Sequence, residues 1–154
     1  MRQRDQLTLI IGYGNSLRRD DGIGLKVASE VEKLGLPGTR SRQEQQLTPE
    51  LAATIAEFDR VIFVDAAINS ERVQLQQIQS QQATGTQLGH NCNARSLLAM
   101  TELLYGTVPQ AWLITIPAAN FEFGEGFSPT AEQGAKKALQ IIANLVGSNR
   151  DQLS

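Results

Sequence analysis

The sequence predicts an α/β domain with three layers, α/β/α. Its twisted, mostly parallel sheet of about five strands should carry helices on both faces. Three observations predict this. Short apolar runs alternate with segments of helical periodicity along the chain. The clearest run, residues 61–64, is apolar at every position, as in a strand buried on both faces. A length of 154 residues at 41% hydrophobic content suits one core rather than two. Residues 1–154 therefore read as one domain, with 146–154 expected to be a frayed tail.

The elements follow in order. Residues 7–11 form a β-branched apolar run that stops at Gly12, a buried strand. Ile23, Val27, Val31 and Leu34 recur at helical spacing, and Gly35 with Pro37 beyond it ends that helix. Residues 40–46 are polar and suit an edge strand. Thr48-Pro49-Glu50 has the order of a helix start, and Leu51, Ile55 and Phe58 supply its apolar side. The strand at 61–64 is expected to end at Asp65. Residues 72–79 alternate imperfectly and suit another edge strand, followed by a polar loop over 81–89. Ala94, Leu97, Leu98, Met100 and Leu104 mark a third helix. Residues 111–116 form a buried strand closed by Pro117. Ser128-Pro129 opens a last helix with the stripe Ala131, Ala135, Ala138, Ile142 and Leu145.

Composition narrows the function. Lys and Arg total 14 against 16 Asp and Glu, a net charge of -2, so charge alone draws the protein to neither nucleic acid nor an anionic membrane. No apolar run approaches a membrane span or a signal-peptide core. Cys92 is the only cysteine, which excludes an internal disulfide and a thiolate zinc site and suits a reducing, cytoplasmic setting. His90 is the only histidine, so any imidazole chemistry must use it.

In an open α/β sheet, ligands bind beyond the carboxyl ends of the strands. Three features converge on that edge: the segment from Gly12 to Gly24, Asp65, and His90. Gly12-x-Gly14 after a strand suggests a dinucleotide turn, yet the third glycine position holds Leu17, and Asp20 and Asp21 would repel a pyrophosphate. A nucleotide-binding module using that turn stays an alternative, as does a zinc hydrolase. Ser16 lacks a nucleophile elbow, and Cys92 reads equally as a small buried filler. Asp20 or Asp21 alone is ordinary at a helix start. Together with Asp65 and His90, two carboxylates and an imidazole make a plausible three-ligand set for a divalent transition metal.

The pattern Gly12-x-Gly14-Asn15-x-Leu17-x-x-Asp20-Asp21-Gly22-x-Gly24 is specific. With it go Val64-Asp65-Ala66, the histidine before the Ser96-Leu97-Leu98 helix, and Phe121-Glu122-x-Gly124-x-Gly126-Phe127-Ser128-Pro129. In this order, over nearly the whole chain, the motifs resemble the hydrogenase maturation endopeptidases. Those proteases trim the C-terminal extension from the large subunit of nickel-iron hydrogenases. The resemblance implies nickel-contacting roles for Asp21, Asp65 and His90, with Asp21 and Asp65 as candidates for catalysis. The family often has glutamate at the first position, so Asp20 competes with Asp21 for that place. The resemblance also implies nickel carried by the substrate and a nickel-loaded precursor as partner; the protease itself need not hold a permanent metal, and its site can be empty or hold a surrogate divalent ion.

Overall fold

A computed structural model describes residues 6–80 and 92–153, with side chains described as far as residue 147. Its elements are β1 (Thr8–Tyr13), a 3-10 turn (Arg19–Gly22), α1 (Ile23–Leu34), β2 (Thr39–Glu44), α2 (Leu51–Ile55), β3 (Arg60–Ile68), β4 (Gln74–Ile78), α3 (Ala94–Tyr105), β5 (Gln110–Ala118) and α4 (Pro129–Leu153). The strands form one 5-stranded sheet in the order β2-β1-β3-β5-β4. All neighbours are parallel except β4, which lies antiparallel on β5 as an edge strand. The three-layer α/β/α expectation holds.

Alternation along the strands builds two cores. Leu9, Ile11, Val61 and Phe63 face one side, where Leu51 and Ile55 of α2 and Leu97 and Leu98 of α3 cover them. Ile10, Ile62, Val64, Ile114 and Ile116 face the other side, under Val27 and Val31 of α1 and Ala135, Ala138 and Ile142 of α4. The small alanine stripe lets α4 lie close to the sheet. Arg60 is buried and pins that helix: Nε donates to Thr8 Oγ1 at 3.1 Å and its guanidinium donates to the Leu145 carbonyl at 3.0 Å.

Several boundaries differ from expectation. β3 continues past Asp65 to Ile68, because β5 offers partners as far as Ala118. Pro117 lies within β5 rather than closing it. It stands beyond Thr115, where β4 pairing stops, so the strand there has a partner on one side only. Leu34 and Leu104 fit the helical period yet are exposed, each in the last turn of its helix. Thr101 is buried in their place on α3, its hydroxyl donating to the Leu97 carbonyl at 2.8 Å. The Thr48 hydroxyl does not cap α2; the Leu51 N–H instead reaches the Thr48 carbonyl at 3.1 Å. Val146 is packed in the core, and α4 runs on to Leu153, beyond the expected start of a tail. The expected loop over 81–89 lies outside the described residues. Among the described residues no helix is long and apolar enough to cross a membrane.

Candidate functional site

The carboxyl ends of β1, β3 and β5 meet two loops, one over residues 14–22 and one over 119–128. The loops are zipped together through their backbones. Arg19 N–H donates to the Gly124 carbonyl at 3.1 Å, Gly124 N–H to Leu17 at 2.8 Å, and Asp20 N–H to Asn120 at 3.0 Å. Gly124 has φ +144°, and a Cβ there would lie 2.7 Å from the Arg19 guanidinium, so glycine is what lets Arg19 lie flat on the second loop.

Asp20 locks this joint. It is 0% exposed. Its carboxylate accepts from the N–H groups of Ala119 (2.7 Å), Asn120 (3.2 Å) and Ser128 (2.8 Å) and from the Ser128 hydroxyl (2.7 Å). Burial pushes its pKa up, but these hydrogen bonds outweigh it and hold the carboxyl below its usual range. The Ser128 hydroxyl also accepts from Ala131 N–H at 3.1 Å, capping α4.

Asp21 is turned the other way. Its Oδ2 accepts from Asn15 N–H at 2.9 Å, and the group is only partly buried. Gly14 makes this placement possible. Its φ is +148°, and a Cβ would fall 1.9 Å from the Asp21 carbonyl oxygen. Gly14→Ala is therefore expected to push the Asp21 turn away from β1 and to cost about 2–4 kcal/mol. Urea denaturation checks the loss; an unchanged midpoint would refute this steric account.

Asp65 lies on the sheet face that carries Val61 and Phe63, four and two residues earlier in β3. Its Oδ1 accepts from Ala66 N–H at 2.8 Å. Burial pushes its pKa up to about 6, opposed by the Ala66 and Tyr13 hydrogen bonds and reinforced by the negative charge of Asp21. That repulsion shows the two carboxylates share one neighbourhood.

Comparison of the sequence with protein-family models gives no match, and neither does comparison with curated proteins. Solved structures do match. HybD, a hydrogenase maturating endopeptidase from E. coli, superposes with a TM-score of 0.72 at 22% identity, over 92% of this chain and 93% of that one. The NiFe hydrogenase maturation protease HycI from Thermococcus kodakarensis KOD1 gives 0.71 at 21% identity, over 92% and 93%. HybD from Thermococcus kodakarensis gives 0.66 at 20% identity, over 91% and 99%. The chain has the hydrogenase maturation protease fold.

Within this maturation-protease fold the expected site residues separate. Asp21 and Asp65 come together at the carboxyl edge. Asp20, the competitor for the first position, has both oxygens committed to the 119–128 loop and serves as a clamp. His90 lies outside the described residues. Among the described residues no three His, Cys, Asp or Glu side chains gather as a metal cage. The Gly12–Gly14 turn is not shaped for a phosphate: the N–H groups of Gly14, Asn15, Leu17 and Arg18 all donate to acceptors within the protein. Cys92 is half-buried, which pushes its thiol up despite a hydrogen bond with Ser96, and this opposes a nucleophilic thiolate.

The sequence reading missed one member of the site. Tyr13, the last residue of β1, packs on the core beside α2 and α3 and donates its hydroxyl to Asp65. Burial, the Asp65 charge and that hydrogen bond all push the Tyr13 pKa up, so the hydroxyl keeps its proton. Only the register of β1 on β3, with Gly12 opposite Val64, brings the two side by side.

Proposed function

We propose that this protein is a nickel-dependent processing endopeptidase of the aspartic type. It removes the C-terminal extension from the large-subunit precursor of a nickel-iron hydrogenase, in the cytoplasm. The observation that carries the reading is the Asp21 and Asp65 pair at the carboxyl edge of a maturation-protease fold. His90 completes the set. It stands two residues before Cys92 in the sequence.

Nickel is the substrate's own cargo in this reading. The precursor already holds the ion, and Asp21, Asp65 and His90 offer oxygen and nitrogen donors to its open position. Docking on the metal fixes the scissile peptide beside the carboxylates and supplies the proximity advantage. The hydrolytic water must lose a proton, which either the nickel, by lowering the pKa of a water on it, or a carboxylate not engaged on the metal would promote. A precursor without nickel gives no anchor, so the same contacts check the substrate before cutting.

The test mixes the protein with nickel-loaded precursor and follows loss of the C-terminal peptide by mass. Cleavage is expected with wild type, none with nickel-free precursor, and a fall of about 10²-fold or more with His90→Ala. Intact precursor with wild type, or normal cleavage by His90→Ala, overturns the proposal.

A further inference from the structure

We infer that Tyr13 is a positioning residue, which holds the Asp65 carboxylate ready for the substrate's metal before docking. The inference rests on the protease reading above. Tyr13 is anchored by its ring in the core under α2 and α3 and by its backbone, which pairs with Glu44 of β2 one residue beyond the Gly12 to Val64 pairing with β3. Its hydroxyl donates to Asp65 across the strand boundary, while Ala66 N–H holds Oδ1 at 2.8 Å. Two donors on rigid strands leave the carboxylate little freedom to rotate. They also occupy part of its acceptor capacity, so the remaining lone pairs point toward one place. Hydrogen bonds from outside a metal's own ligands orient those ligands in this way.

The role has a particular kinetic signature. Once nickel is bound, the metal itself holds the carboxylate. Tyr13 therefore matters for the encounter and little afterwards. Tyr13→Phe keeps the packed ring and removes only the donor. It is expected to lower kcat/KM on nickel-loaded precursor by about 10–100-fold, nearly all of it in KM. Affinity for the nickel-loaded precursor on a sensor surface should weaken by a similar factor, while the melting temperature stays within a few degrees. Unchanged KM and affinity would overturn the positioning role, as would an equal loss in kcat with KM unaltered. Wild type failing to cleave or bind nickel-loaded precursor is a separate result and overturns the protease reading together with this one. Wild-type cleavage with an unaffected Tyr13→Phe overturns the positioning role alone.

Discussion

Asp65→Asn is expected to abolish cleavage and, at neutral pH, to stabilise the fold. The carboxyl is half-buried beside Asp21, and burial with that like charge raises its pKa from 3.8 to about 6. The folded state thus binds the Asp65 proton more tightly than the unfolded chain does. The stability this contributes is fully present below pH 3.8 and is lost as pH rises through about 6. At pH 8 the protein carries an ionised group in a place that disfavours it. Asparagine has nearly the same shape, and its one acceptor oxygen can keep the bond from Ala66 N–H. Each pKa unit is worth about 1.4 kcal/mol, and partial exposure reduces the total, so a gain of about 1–2 kcal/mol is expected at pH 8. The gain should shrink toward pH 4, where the wild-type group is protonated as well. Urea denaturation of both proteins at the two pH values measures it. Cleavage should fall by about 10²–10⁴-fold, since an amide is a poor metal ligand and no base. A variant that is less stable at pH 8, or that still cuts, would contradict the account. The expected outcome is a trade of stability for function, of the kind strained active sites make.

Asp20→Asn is expected to have the opposite effect on stability to Asp65→Asn. Asp20 is fully buried and receives four donors, from Ala119, Asn120 and twice from Ser128. An amide keeps one acceptor oxygen. Its NH₂ must then face either Ser128 N–H or the Ala119 and Asn120 N–H pair, donor against donor. Leaving buried donors unmet costs about 2–4 kcal/mol, or about 5–15 °C in melting temperature for a domain this size. The pH dependence has the opposite sign to that of Asp65. A carboxyl held below its ordinary value contributes stability that is present above pH 3.8 and is lost as pH falls through the lowered folded value. Asp20→Asn should therefore flatten the acid side of the stability profile, which scanning calorimetry across pH 3 to 7 would read as about the same low melting temperature throughout. A variant as stable as wild type at pH 7 would show that the joint between the two loops does not depend on this carboxylate.

Adjacent aspartates of one motif thus end in unlike surroundings, and the sequence could not say which was which. Both fit a helix start, and the choice depends on which carboxyl turns toward a loop about a hundred residues away. Asp20 meets Ser128 only because β5 delivers that loop to the end of β1 through β3. Tyr13 is a similar case. Its aromatic ring at the end of an apolar run is unremarkable in sequence, and its hydroxyl gains meaning only when β1 and β3 pair in register.

Much else was local and could be read directly. The run at 61–64 is apolar on both strand faces because both faces are covered. Gly35 ends α1 with φ 60°, a conformation that glycine enters without a Cβ penalty. Ser128 before Pro129 caps α4. These signals lie within a few residues of what they determine: steric preference, periodicity and capping act between near neighbours, so the sequence alone settled the order of elements and the layered architecture. The tertiary structure decided where β3 and β5 end, which periodic leucines stay in water, and which of the adjacent carboxylates clamps the two loops together. Each of these depends on hydrogen bonds and burial between residues brought together by chain closure, whose energies no short stretch of sequence contains.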